Sequence, residues 1–348
     1  MLRTKILPAL ALLLLLGACS SPLKNKLKEF KTQGNYRMAF YNVENLFDLV
    51  NAPDKADDEF TPEGKKEWTA ERYQKKLNDL AKVIETMGYP AIIGLCEVEN
   101  ELVLKDLTQR TSLKNYGYKI VHYESPDFRG IDVALIYMES LFEVQKSKVI
   151  SINFPKEIVE DYTTRDILQV SGTFRGKETL HIFVNHWPSR RGGLTESEPK
   201  RVYVSTQLRK ATNQIFENDP KANIIITGDF NDEPDNNSVR YTLNALPTTE
   251  PLNAQQLYNC SYTQDQTGAG SYNYRGNWNM LDQFIVSTTL LDGSCKLQAQ
   301  EAQTFQQDWM MYQDKKNGAT PNKTYGGPNY YGGYSDHLPV YLDLKVRK

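Results

Sequence analysis

The sequence predicts an α/β fold of packed mixed sheets flanked by helices, and three observations carry the prediction. Short apolar runs rich in Val, Ile, Phe and Tyr follow one another with few helical stretches between them, so strict strand-helix alternation is absent. Two longer stretches instead show the i, i+3, i+4 spacing of an amphipathic helix. Polar or acidic residues stand repeatedly at one end of an apolar run, as they do where strands deliver side chains to a shared edge. With no repeat and no break in composition, residues 36–348 are expected to form one domain.

The first residues have a separate logic. Arg3 and Lys5 precede an apolar run from Ile6 to Leu16, too short to span a bilayer, and then Leu16-Gly17-Ala18-Cys19. A charged start, an apolar core and small residues before a cleavage point make a secretory signal. The Leu-Gly-Ala-Cys pattern resembles the bacterial lipobox, which implies a lipid on Cys19. Residues 1–18 are therefore expected to be a lipoprotein signal peptide and residues 19–35 a lipidated cysteine and polar, lysine-rich tether. That places the protein in the cell envelope, lipid-anchored to the outer membrane and facing periplasm or surface. Net charge of -2 argues against a polybasic protein that coats nucleic acid. Of the remaining cysteines, Cys96 falls in a core strand, while Cys260 and Cys295 leave a disulfide open; without a C-x-x-C pair, zinc and iron-sulfur sites are not expected.

Along the chain, Arg37 to Glu44 is an extended apolar-rich run turning polar, with Asn42 and Glu44 two apart and so expected on one face. Thr69 to Met87 carries Leu77, Leu80, Ala81 and Ile84 at helical spacing, closed by Gly88 as C-cap. Ala91 to Glu97 is an apolar strand ending in a carboxylate. A short helix at Leu102–Leu107 follows, then strands at Tyr118–Tyr123, Val133–Tyr137, Leu141–Ile152, Ile167–Phe174 and Thr179–Val184, the last running into Asn185-His186-Trp187-Pro188. Pro199 to Phe216 has helical spacing, with Pro199 at its start. Ile224 to Thr227 is a buried strand stopping at the turn Gly228-Asp229-Phe230-Asn231-Asp232; if the extended path continues through that turn, period-two alternation puts Asp229 and Asn231 on one face and Phe230 in the packing. Ser238–Leu246 is expected to be a short helix, Leu281–Val286 a strand opening on Asp282, and Leu338–Leu344 the last strand, after Ser335-Asp336-His337.

Asn42 with Glu44, Glu97, Asn185 with His186, Asp229 with Asn231, Asp282, and Asp336 with His337 all stand at strand ends. Two of the four histidines fall among them, while His122 and His181 are expected to be structural. Hard oxygen donors without thiolates suit Mg²⁺, with Mn²⁺ or Ca²⁺ as alternatives. Phosphoester hydrolysis needs such a set: a cation, a group that orients water, and donors for developing negative charge.

These motifs, in this order from residue 37 to 344, resemble the endonuclease/exonuclease/phosphatase superfamily, the deoxyribonuclease-I-like enzymes. The resemblance implies a four-layer α/β/β/α sandwich with its site at the mouth between two sheets. It implies Glu97 as the main metal ligand, with Asn42, Glu44 and Asp336 as ligands or water-mediated partners. It further implies Asp229 as the acid that handles the attacking water, Asn231 as a donor to the phosphate, and His337 on the scissile phosphate with Asp282 fixing its tautomer. His186 matches a second histidine, expected to give the leaving oxygen its proton; Asp127 and Asp132 compete to be its partner.

The expected function is thus a Mg²⁺-dependent phosphoester hydrolase, nuclease-like and acting outside the cytoplasm. The alternatives are a phosphomonoesterase, a sphingomyelinase-type phospholipase, or a lipoprotein that only binds a ligand. Arg190, Arg191, Arg275, Trp187, Tyr272, Tyr274, Trp278, Tyr330, Tyr331 and Tyr334 lie on loops beside the motifs and suit a DNA or RNA strand. A monomer is expected, with the membrane reached through the lipid and no protein partner inferred.

Overall fold

A computed structural model describes residues 34–347. The expected signal peptide, the expected lipobox cysteine and nearly all of the expected tether lie outside the described residues.

Two seven-stranded sheets form the body. The first contains β1 (Asn35–Leu46), β2 (Ile92–Val98), β3 (Tyr118–His122) and β4 (Asp132–Met138), in spatial order Leu297–Ala299, Val340–Val346, β1, β2, β4, β3, with Gln303–Thr304 also beside Val340–Val346. The second runs β5 (Phe142–Ile150), β6 (Ile167–Phe174), β7 (Glu178–His186), β8 (Asn223–Asp229), then Asp282–Ser287, Leu257–Asn259 and Ala245–Pro247. Near its centre each sheet has a parallel pair joined by a helix, β1 and β2 through α1 (Ala70–Thr86) and β7 and β8 through α3 (Leu194–Asn218), while Leu257–Asn259 and Ala245–Pro247 form a further parallel pair at the edge of the second sheet. A second helix, α2 (Glu101–Gln109), follows β2. Parallel strands gather functional groups at their carboxyl ends, and here both central pairs point those ends at the same mouth.

The layers follow from period-two alternation. Along β1, Met38 and Phe40 enter the core between the sheets, with Leu168, Val170, Ile182, Val184, Ile225 and Phe284 of the second sheet. The intervening Ala39, Tyr41 and Val43 face Leu77, Leu80, Ala81 and Ile84 of α1. On β8 the same rule sends Ile225 inward and Ile224 and Ile226 outward against Val204, Leu208 and Phe216 of α3. The result is helix, sheet, sheet, helix. Burying each of the Val, Leu, Ile, Phe and Met side chains among these stabilises the fold by roughly 1.5–3 kcal/mol, so three contiguous cores dominate over any single polar contact.

Caps set the helix ends. The Thr69 hydroxyl accepts the Arg72 N–H at 3.4 Å, Asn100 Oδ1 accepts the Leu102 and Val103 N–H groups, and Gly88, at φ +88°, ends α1 in the left-handed conformation that glycine adopts without strain. Three local expectations are corrected. The helix expected to start at Pro199 starts at Leu194. Pro199 lies inside it, where the Ser197 hydroxyl and the Arg201 guanidinium donate to the Gly193 and Leu194 carbonyls. The segment after β8 is one π-helical turn, Ser238–Thr242, followed by the strand Ala245–Pro247, rather than a short helix to Leu246. Finally, Asn42 and Glu44 do not continue one extended path, because Glu44 and Asn45 both take positive φ, 50° and 56°. The question left open at Cys260 and Cys295 is answered by two free thiols, Cys260 buried in the core and Cys295 donating to the Leu297 carbonyl at 2.9 Å.

Candidate active site

Strand register assembles the first half of the site. His186 ends β7 beside Asp229 of β8, and Asp229 stands opposite Asp282 on the neighbouring antiparallel strand. All three have the parity of Val184, Ile225 and Phe284, so they form a row on the face turned toward the other sheet. His337 arrives from the turn before Val340–Val346 and closes the row: its Nδ1 is 2.6 Å from Asp282 Oδ2 and its Nε2 is 3.8 Å from Asp229 Oδ2. His186 Nε2 lies 3.7 Å from that same Asp229 oxygen and 3.9 Å from Glu97 Oε1. Asn42 reaches across from the first sheet and donates to Asp229 Oδ2 at 3.1 Å. Both imidazole Nε2 atoms thus stand just beyond hydrogen-bond distance of one carboxylate oxygen, leaving their edges available to a substrate.

Backbone kinks supply the second half. Glu97 has φ +60°, and the register of β2 slips between Cys96 and Val98. Leu95 faces the helices, so an unbroken strand would turn Glu97 the same way; the bulge brings its side chain to the mouth instead. Asn231 has φ +50°, and its N–H donates to Asp229 Oδ1 at 2.9 Å while its Nδ2 donates to the Trp187 carbonyl at 3.0 Å. The amide keeps a second N–H for a ligand. Gly228 has a steric reason: a Cβ there would stand 2.4 Å from the Asn185 carbonyl oxygen on β7. Glycine lets the two parallel strands approach closely where His186 and Asp229 must meet.

Electrostatics separate the two histidines. Burial works against a charged His337, but Asp282, Asp229 and the hydrogen bond to Asp282 outweigh it and hold its pKa well above the ordinary value. Burial, Arg165, Arg129 and His337 push His186 well below. The proton-bearing imidazole at neutral pH is therefore His337, and His186, expected to protonate the leaving oxygen, is neutral. Burial lifts Asp229 to about 7, with His337 opposing the rise and Asp282 adding to it. A carboxylate in that range suits a base working near neutrality.

The acidic and histidine groups of this mouth can hold a metal ion. Glu97 and Asp336 both line the cleft, and the Asp336 carboxylate has no hydrogen-bond partner among the described residues. Burial raises the Asp336 pKa and neighbouring Glu97 adds to the rise, a crowding of oxygen donors that a hard cation relieves. Asn42 and Glu44 are more committed: Asn42 Oδ1 accepts the Glu44 N–H at 3.0 Å, and the Glu44 oxygens accept the Thr324 and Tyr325 N–H groups at 2.6 and 3.0 Å. Among the tightest donor groups, Cys96 with His186 and Asp229 is spoiled by a thiol that burial keeps protonated.

Residues 37–346 match the family model of the endonuclease/exonuclease/phosphatase family. The chain belongs to that family. Its members are phosphoester hydrolases that typically use divalent metals. No curated protein sequence matches the chain. Solved structures similar in fold include D. rerio TDP2 in complex with a single strand DNA product, at 15% identity and TM-score 0.55, covering 90% of this chain and 99% of that one. The human Nocturnin catalytic domain with bound sulfate matches at 18% identity and TM-score 0.54, covering 90% and 95%. A Bacteroides thetaiotaomicron mannosyl-6-phosphatase matches at 15% and 0.52, covering 89% and 99%.

In this family member, several side chains escaped the sequence reasoning. Neither Asp127 nor Asp132 pairs with His186. Asp127 accepts buried Arg165 at 2.9 Å, and Asp132 contacts His122 Nε2 at 3.0 Å. Arg165 also donates to the Trp187 carbonyl at 2.7 Å, holding the segment after His186, and nothing in its irregular sequence context signals this. Lys76 was legible: it sits one residue before Leu77 on the apolar stripe of α1, and its buried ammonium donates to Thr324 Oγ1 and the Tyr334 carbonyl, both at 2.6 Å. Tyr272 lays its ring against His337, centroids 4.8 Å apart. Trp187, expected on a substrate loop, is wholly buried against Phe230, and Arg190 is tied to the Asn231 carbonyl at 2.8 Å, so neither is free to stack on a ligand.

Proposed function

We propose that the chain is a divalent-metal-dependent phosphodiesterase of nuclease type acting outside the cytoplasm. The observation that carries the reading is the closed row of His186, Asp229, Asp282 and His337, in which a cationic and a neutral imidazole face one carboxylate of near-neutral pKa. Asp229 accepts a proton from the attacking water as the water oxygen bonds to phosphorus, the P–O bond to the leaving oxygen breaks, and that oxygen takes up a proton from solvent. His337, held by Asp282, donates Nε2–H to the phosphoryl oxygens as negative charge grows, and the second N–H of Asn231 adds a donor. The neutral His186 edge hydrogen-bonds the phosphoryl group beside Glu97. Glu97 and Asp336 would hold Mg²⁺, with Mn²⁺ or Ca²⁺ as substitutes, and Asn42 and Glu44 would act on it through water or through the backbone they fasten. A divalent ion there supplies charge neutralisation and Lewis acidity to the phosphate oxygens.

The relatives by fold include a protein solved with a DNA product and a sugar phosphatase, so the fold leaves the substrate open. The cleft favours a diester, because it extends on both sides of Asp336 and Tyr272. Hydrolysis of DNA, RNA, bis-p-nitrophenyl phosphate, p-nitrophenyl phosphate, sphingomyelin and inositol phosphates, with and without a chelator, tests the reading. Diester turnover that a chelator abolishes and Mg²⁺ restores is expected; turnover of monoesters alone, or none with any divalent ion, overturns it.

The Leu16-Gly17-Ala18-Cys19 pattern supports anchoring in the cell envelope through a lipid on Cys19. Cys19→Ser is expected to move the protein from the membrane fraction to the soluble one, and unchanged fractionation would count against the anchor.

A further inference from the structure

Opposite the mouth, where β7 and β8 begin, a cleft of about 610 Å³ opens at the base of the sandwich. Lys177, Lys221, Lys296 and Arg347 line it, each from a separate segment of the chain. All four are exposed, and among the described residues none enters an ion pair. Two acids share the lining, each tied to the main chain: a Glu178 oxygen accepts the Lys296 N–H at 3.1 Å, and an Asp219 oxygen accepts the Lys221 N–H at 2.9 Å. His181 adds no charge at neutral pH, because burial lowers its pKa. Four cations against two carboxylates leave the cleft positive. The Arg347 guanidinium lies where a side chain at Gly293 would stand, so glycine makes room for it. Asn223 is 7% exposed; its Nδ2 donates to the Thr179 carbonyl at 3.1 Å, and its Oδ1 is buried without a donor.

The expected tether joins the domain at this same end. The Gly34 carbonyl accepts the Val346 N–H at 2.8 Å, one residue before Arg347. β1 then rises about 30 Å from Asn35 to Glu44, so the candidate metal ligands lie at the far end of the molecule. The 14 residues between Cys19 and Gly34 span at most about 50 Å, which keeps the base within reach of a bilayer that holds Cys19.

We propose that the basal cleft seats the phosphate of an anionic phospholipid headgroup, setting this end of the domain on the bilayer and turning the candidate active site away from it. Lysines and arginines held near an anionic leaflet are drawn to it, and here four converge without partners of their own. A headgroup hydroxyl, or a water it carries, supplies the donor that Asn223 Oδ1 lacks. The entry of the tether beside Arg347 commits the cleft to a membrane rather than to a soluble anion. The inference rests on the anchor at Cys19 and gives that anchor a direction: substrate reaches the mouth from solution, not from the bilayer.

The test follows amide hydrogen exchange of the full chain on vesicles of phosphatidylcholine alone and of equimolar phosphatidylcholine and phosphatidylglycerol. Exchange within residues 177–181, 219–223 and 293–297 is expected to slow on the anionic vesicles, while residues 186–194 and 272–277 at the mouth keep their rates. Each lysine near such a surface is worth about fivefold, so the triple variant Lys177→Gln, Lys221→Gln, Lys296→Gln shifts the ratio of seated to unseated protein about a hundredfold and loses the slowing. The variant Lys65→Gln, Lys315→Gln, Lys316→Gln removes as much charge from exposed positions elsewhere and is expected to keep it. Circular dichroism of both variants checks the fold. Slowing at the mouth, slowing undiminished in the first variant or lost in the second, or the same slowing by inorganic phosphate without vesicles would overturn the inference. Flotation with pure phosphatidylcholine vesicles is scored separately: its failure removes the lipid on Cys19 and leaves the exchange comparison standing.

Discussion

The Asp282 carboxylate holds the His337 imidazole by its Nδ1 at 2.6 Å, with both side chains buried. This contact does two things at once: it aims Nε2 at the mouth and it favours the protonated ring. Asp282→Asn is expected to lower diester turnover by about a hundredfold or more, the scale of a misoriented acid-base group. Since activity on this reading needs protonated His337, it is lost as pH rises through the His337 pKa. Removing the Asp282 charge lowers that pKa, so the alkaline limb of the rate profile should move to lower pH. A pH-rate profile with the limb unmoved would detach Asp282 from the histidine's charge.

Gly228 makes a steric prediction. A methyl group at this position meets the Asn185 carbonyl at 2.4 Å and its Cβ at 2.6 Å, so β7 and β8 must part. Gly228→Ala is expected to cost about 1–3 kcal/mol in urea unfolding, as overpacking does, and to reduce turnover more than stability by separating His186 from Asp229. A variant with native stability and native rate would show that the strands have slack.

Lys76 is a buried cation facing Glu44 and Asp336, and it fastens the loop that carries Asp336 and His337. Lys76→Met keeps the length and removes the charge. Leaving acids without their counter-charge costs about 3–5 kcal/mol, so a clear fall in melting temperature is expected by calorimetry, together with increased proteolysis within residues 322–334. Equal melting temperatures would mean that Lys76 contributes little beyond its burial.

Glu99 provides a stability signature away from the candidate catalytic groups. Burial pushes its pKa up to about 8, opposed by the Asp48 N–H it accepts. A carboxyl raised in the folded state binds more protons than in the unfolded chain, where its pKa is about 4.3. Its contribution to stability is complete below that value and is lost as pH rises to about 8. Glu99→Gln keeps an acceptor for Asp48 and cannot ionise. The variant should match the parent in melting temperature near the lower limit and gain on it steadily up to the upper one. A difference that does not vary with pH would contradict the assignment.

The layers were legible because alternation and helical spacing are properties of the sequence itself: Ile224, Ile225 and Ile226 go outward, inward and outward as a strand requires. The row of His186, Asp229 and Asp282 was legible for the same reason. Glu44 and Glu97 were found as strand ends, but their directions were not, because positive φ at each breaks the alternation on which direction is inferred. Asp127 and Arg165 were beyond reach, since they pair across 38 residues through packing that no local pattern encodes, whereas Asp132 is taken by His122 of the neighbouring strand, ten residues away.

Glu44, Glu97 and Asn231 share one property: each carries its functional group on a left-handed residue, where a side chain is strained by roughly 1–3 kcal/mol. The chemistry of this mouth is therefore written partly in the main chain. Transplanting the nine side chains onto another pair of sheets would not reproduce it, since regular strands would send Glu97 into the helical layer. A designer would have to move the kinks first, and a substitution that relaxed one of them would make the protein sturdier and the catalyst worse.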